Sequence, residues 1–230
     1  MGPINIERLY TISVLNLRND KSEISQAIYQ LFSKRILVKG STITKDTLLK
    51  NDIRNKIFEY ISNNPGSHFR EIQKTLELSI HQTIWHLEML EEFGYIRKNR
   101  IKNKVAFFNF NINPELYKSI FMLKDTSCLR VLKNILLEPG IDLKALAKNA
   151  KIKSEVVEDI VFNLRTLGLI FEEVGKDTIR YFGRMENIEP VLRILKVPEA
   201  KINKYKEVGT PSYISNDKII TKGDWGLVTK

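Results

Sequence analysis

The sequence predicts a mainly α-helical chain with small β-hairpins, an α+β class, in which one helical unit closed by a hairpin occurs twice in tandem. Two observations predict it, and a third bears on the partner. The first is the stretch from Asn63 to Phe110. Pro65-Gly66 closes a helix, then a short helix and a tight turn lead into a second helix that ends at Gly94. Two strands follow around a basic loop, Arg97-Lys98-Asn99-Arg100-Ile101-Lys102-Asn103-Lys104. That order of elements is a winged helix-turn-helix. The second observation is self-similarity. A shift of 74 positions carries Pro65-Gly66 onto Pro139-Gly140, Ile72 onto Leu146, Leu78 onto Ile152 and Leu90 onto Leu164. The same shift carries Gly94-Tyr95-Ile96 onto Gly168-Leu169-Ile170 and Phe107-Phe108 onto Tyr181-Phe182, with no gap. So long a period fits two duplicated domains rather than a solenoid. The third is a formal net charge of +10, which suits a polyanionic partner such as nucleic acid or an acidic membrane surface.

The elements follow in order. Ile4 to Leu17 is apolar and partly alternating, which predicts a strand. Ser22 starts a helix whose Ile24, Ile28, Leu31 and Phe32 share one face. Lys34 to Val38 reads as a strand ended by Gly40. Residues 1–45 are therefore expected to be a strand-helix arm, a partial winged-helix element or a dimerisation arm. Asp46 or Thr47 caps the next helix, which runs to Asn63 with Leu49, Ile53, Ile57, Tyr60 and Ile61 inward. The first winged helix is expected over 46–112. Glu115 to Leu123 is helical and opens the second, over 113–184. Its helices fall near 127–137, 142–149 and 153–167, and its strands near 169–174 and 178–182. A helix from Ile188 to Val197 closes the folded part, within 185–198. Residues 199–230 read as an extended tail, poor in large apolar groups, whose Ile219, Ile220 and Trp225 can dock on the body or on a partner.

Composition excludes several classes. The lone cysteine, Cys128, rules out an intrachain disulfide and sits on an apolar face with Val131 and Leu132. The start carries Glu7 and Arg8 and a short apolar run, so it is not expected to be a signal peptide. No stretch of about 18 apolar residues exists, so no membrane insertion is expected and the chain reads as cytoplasmic. No Gly-rich phosphate loop, Gly-x-Ser-x-Gly, HExxH or CxxC appears, so no enzyme and no cofactor is expected. His68, His81 and His86 have no cysteine nearby and read as helix-end and helix-flank residues rather than metal ligands.

The motifs Pro65-Gly66-x-His68-Phe69-Arg70-Glu71-Ile72 and Trp85-His86-Leu87-x-x-Leu90-Glu91-x-x-Gly94-x-Ile96 resemble those of archaeal transcriptional regulators with tandem winged helices. The resemblance spans Leu48 to Gly183. It implies a DNA-binding regulator that acts as a dimer. Tandem winged helices also build ESCRT-II subunits, which are protein-interaction scaffolds with a similar two-domain layout. The motifs and the basic first wing resemble the regulators more.

The second helix of the first unit, Ser79 to Phe93, is the expected recognition helix, with Ser79 as its N-cap. Helical periodicity puts Ile80, Thr83, Leu87 and Leu90 inward, with His86, Met89 and Phe93 beside them. His81, Gln82, Ile84, Trp85 and Glu88 then face outward. Gln82 can pair with adenine and His81 can donate to a base or phosphate. Trp85 can pack on the sugar-phosphate backbone. Ile84 and Trp85 can equally form an apolar patch for a protein. In the wing, Arg97, Lys98, Arg100, Lys102 and Lys104 are expected to meet phosphates, with Arg70 and Lys74 adding backbone contacts. Arg70 can also pair with Glu71 or Glu77. The second copy carries Glu155, Glu158 and Asp159 at the outer positions and Glu172-Glu173 in its wing. Phosphate repels such a face, so dimer or protein contacts suit it better.

Overall fold

The computed structural model describes residues 3–175 and 178–209. The chain divides into two compact units, one ending at Thr126 and the other beginning at Ser127.

The first unit opens with two helices, α1 (Ile6–Asn16) and α2 (Lys21–Ser33). The expected strand at Ile4–Leu17 is thus a helix. Asn5 caps it, accepting the Arg8 N–H at 3.1 Å. Its Leu9, Ser13 and Leu17, four residues apart, line a groove with Ile24, Ala27 and Ile28 of α2. Lys34 to Val38 is not a strand either. It is a turn in which Ile36 and Leu37 donate back to the Leu31 carbonyl. The arm is therefore a helical hairpin, not a partial winged helix.

A short helix, α3 (Lys45–Leu48), precedes α4 (Asp52–Asn63), where the sequence reads as one continuous helix. The break falls at Asn51, whose side chain caps α4 by accepting the Arg54 N–H. Then come β1 (Ser67–His68), α5 (Phe69–Thr75), α6 (Ile80–Glu92), β2 (Ile96–Ile101) and β3 (Lys104–Asn109). The sheet order is β1-β3-β2, antiparallel throughout. Leu48, Ile57, Ile61, Ile72, Leu87, Leu90, Phe93, Ile96 and Phe107 form its core. A 3₁₀ turn at Pro114–Leu116 leads to α7 (Tyr117–Leu123). This helix, expected to open the second winged helix, belongs to the first unit. Tyr117 stacks on Phe108 with ring centroids 3.9 Å apart, and Lys124 bonds Glu71 at 3.0 Å.

The second unit holds α8 (Thr126–Leu137), β4 (Ile141–Asp142), α9 (Leu143–Ala150), α10 (Ser154–Thr166), β5 (Ile170–Val174) and β6 (Ile179–Gly183). Its sheet order, β4-β6-β5, repeats the first. The register repeats too: Ser67 faces Phe107 and Ile141 faces Tyr181, while Ile96 faces Asn109 and Ile170 faces Gly183. Gly66 and Gly140 hold φ of +77° and +83°, a conformation that only glycine adopts freely, and a Cβ there would press on Phe108 or Phe182. Then follow α11 (Met185–Ile194) and α12 (Glu199–Gly209). The expected extended tail therefore begins as a helix, because Ile202 and Tyr205 lie one turn apart and are both buried. Ile219, Ile220 and Trp225 lie outside the described residues, as do Lys176 and Asp177 of the second wing.

Candidate nucleic-acid interface

Ser79 and Gln82 hold the start of α6. The Ser79 Oγ accepts the Gln82 N–H, and the Gln82 Oε1 accepts the Ser79 N–H, both at 3.2 Å. His81, Gln82, Ile84, Trp85 and Glu88 are all exposed, as their positions on the helix require. Ile80 departs from the expected inner stripe and is 55% exposed. It is the first helical residue, so its side chain projects past the end of the core. The inner face is Thr83, His86, Leu87 and Leu90, with Phe93 just beyond; the Thr83 hydroxyl donates to the Ser79 carbonyl at 2.8 Å.

Trp85 is 50% exposed. Its inner side covers the Arg54 guanidinium, with Cζ 5.3 Å from the ring centroid, and it meets the His86 ring at 4.7 Å. His86 is buried, and its Nδ1 has no hydrogen-bond partner among the described residues. Burial, aided by the Arg54 charge, holds the imidazole below its ordinary pKa. The sequence reading places His86 on a helix flank and does not single out Arg54. A signal was present, because Arg54 extends the Ile57, Ile61 stripe back by one turn.

The basic run is mostly strand, since β2 reaches Ile101 and only Lys102 and Asn103 form the turn. Its five cations are not equivalent. The Arg97 guanidinium stacks on Phe110, 3.8 Å from the ring centroid. Lys98 pairs with Glu91 at 2.8 Å, and that contact raises its pKa. Arg100, Lys102 and Lys104 are exposed and, among the described residues, make no ion pair. Lys102 holds φ +54° at the tip. Arg70 and Lys74 are exposed on α5. Arg70 does not pair with Glu71, which turns inward to Lys124.

The matching surface of the second unit differs. Glu155, Glu158 and Asp159 are exposed on α10 together with Val156 and Phe162, and Val174 and Ile179 are exposed in its hairpin. Its Glu172 pairs with Arg165. Among the described residues, no group of three or more His, Cys, Asp and Glu could hold a metal ion, and no helix is long and apolar enough to cross a membrane.

Comparison with known proteins fits this geometry. A family model described as an N-terminal HTH domain matches residues 51–115, from the cap of α4 through both strands of the wing. The first winged helix carries a helix-turn-helix domain. Both motifs that carry the resemblance to archaeal regulators lie inside that span. The chain is also 25% identical, over 147 residues, to an uncharacterized HTH-type transcriptional regulator of Methanocaldococcus jannaschii. The match covers 64% of this chain and 37% of that protein, so the chain spans little more than a third of the length of that relative.

Proposed function

We propose that the protein is a DNA-binding transcriptional regulator whose first winged helix reads duplex DNA. The second winged helix and the N-terminal arm carry dimer or protein contacts. The observation that supports this most is a contrast on one backbone plan. The first copy presents His81, Gln82 and Trp85 beside the exposed Arg100, Lys102 and Lys104, whereas the second presents Glu155, Glu158 and Asp159. Duplex phosphate attracts the first face and repels the second. In this reading His81 and Gln82 meet base edges from the first turn of α6, Ser79 fixes that turn, and Trp85 lies against the backbone. Arg70, Arg97 and Lys98 add phosphate contacts. The similarity to an archaeal regulator supports the same reading. For the second unit, Phe162 and Val156 among the carboxylates favour a protein surface. For the arm, α1 is apolar on most sides, yet none of its residues is buried.

The test is a gel-shift titration of the whole chain on random duplex. Each phosphate contact adds about 0.9 to the slope of log affinity against log salt. Replacing Arg100 and Lys102 by Ala is expected to flatten that slope and weaken binding on every sequence. Replacing Arg180, in the second hairpin, is expected to change little. Absence of binding at low salt rejects the reading. A scaffold reading has one observation in its favour, the exposed Ile80, Ile84 and Trp85. It predicts that Trp85→Ala breaks a protein complex and leaves DNA binding intact, while the regulator reading predicts weaker DNA binding.

A further inference from the structure

Among the described residues, Arg54 is a buried cation with no anionic partner. It projects from the first turn of α4 and is 5% exposed, and its Nε and Nη1 are buried without a hydrogen bond among the described residues. No ion pair among the described residues involves it. An isolated buried cation opposes folding. The neighbouring His86, neutral or cationic in its two protonation forms, supplies no counter-charge. What covers the guanidinium is the Trp85 ring, itself half exposed on the face that presents His81 and Ile84. The charge thus lies 5.3 Å from the centre of a ring on the outer face of α6. The second copy, with its acidic outer face, has Cys128 and Asp159 at the positions of Arg54 and Trp85. Cation and cover are absent together from the domain that phosphate would avoid.

We propose that the missing partner is a backbone phosphate of duplex DNA, seated on Arg54 when the Trp85 indole swings outward to pack on the adjoining sugar. The inference rests on the DNA-binding reading above and adds to it a contact that the exposed surface does not show. A planar guanidinium takes a phosphate through two parallel hydrogen bonds, and it does so more strongly where water is excluded. A phosphate seat carries no base information, so it raises affinity on every sequence alike.

The experiment measures stability and duplex binding in the whole chain carrying Arg54→Met, which keeps length and apolar volume but removes the charge. The expected result has two parts. The unfolding midpoint rises, because an uncompensated charge has left the interior. Duplex affinity falls about tenfold, as expected for one charge-assisted contact, with base preference unchanged. A lower midpoint with duplex affinity intact would make Arg54 a structural residue and overturn the seat. Unchanged affinity at any midpoint overturns it too. Arg54→Lys keeps the charge without the planar fork and carries the test if the Met variant does not fold. Loss of affinity with an unchanged circular dichroism spectrum supports the seat, and full affinity overturns it. Failure of the unmutated chain to bind any duplex overturns the DNA reading and the seat together, whereas binding that survives both substitutions overturns only the seat.

Discussion

Lys98 of β2 reaches back to Glu91 of α6 across 2.8 Å, and 74 positions later Arg165 and Glu172 make the same bridge with their charges exchanged. The bridge ties the end of each second helix to the first strand of its hairpin. Both copies make it because an ion pair works in either direction. The exchange leaves different surfaces behind, a lysine on the first hairpin and a glutamate on the second.

Lys98 is partly committed to Glu91, so its loss is expected to weaken DNA binding less than the loss of Arg100. Lys98→Ala should lower the salt slope by well under the value of about 0.9 for a full contact, and Arg100→Ala by about that value. Parallel gel-shift titrations of the two variants check this. Equal slopes would show that Glu91 releases Lys98 to the duplex without cost.

Lys124→Met is expected to destabilise the first unit. Burial alone would raise the Glu71 carboxyl, but hydrogen bonds from Lys124, Ser67 and the His68 N–H, with the Lys124 charge, hold it below its ordinary value. Glu71 also takes the Tyr60 hydroxyl at 3.2 Å. A lowered carboxylate stabilises the fold above its unfolded pKa of about 4.3, and that stability is lost as pH falls through the folded value. Removing Lys124 should cost about 1 kcal/mol at neutral pH, allowing for partial solvent screening. The acid limb of the stability curve should become shallower. Urea titrations at several pH values measure both effects.

His86 gives the protein a second acid sensitivity at higher pH. Its imidazole is lowered by burial and by Arg54. The unfolded chain therefore binds a proton first, and stability that is full above about pH 6.5 falls as pH drops through the folded value. His86→Phe is expected to flatten stability between about pH 7 and pH 5. Thermal unfolding across that range reads the difference, and an unchanged pH profile would show that the folded and unfolded chains bind the His86 proton equally well.

Leu15→Ser in α1 is expected to leave the monomer fold intact, since Leu15 is 78% exposed. If the arm joins two copies, the same change dissociates the dimer at concentrations where the unmutated chain is paired. Sedimentation equilibrium of the two proteins decides it, and matching masses would take α1 out of any interface.

The duplication was legible because its markers tolerate few residue types. Gly66, Gly94, Gly140 and Gly168 all hold positive φ, and the apolar pairs Phe107-Phe108 and Tyr181-Phe182 repeat in one register. The arm was not legible in the same way. Ile6, Thr11, Ile12 and Val14 are β-branched and give α1 the alternation of a strand, while the contacts that make it a helix lie at Leu9, Ser13 and Leu17. On α6 the outer face followed from periodicity, but Ile80 did not, because the first turn overhangs the core. Arg54 was hidden for another reason. A charged residue reads as surface until the helix that buries it is in place.

The bond between Gln82 Oε1 and the Ser79 N–H has a consequence for how a sequence could be recognised. One amide oxygen holds the helix shut at its first turn and is also the acceptor that an adenine amino group would seek. A matching base must either share that oxygen or draw it away, and drawing it away lets the first turn fray. Discrimination between sequences would then appear as a difference in order at Ser79 to Gln82 as well as in affinity. Amide hydrogen exchange at Gln82 and Thr83, compared on preferred and random duplexes, would report it.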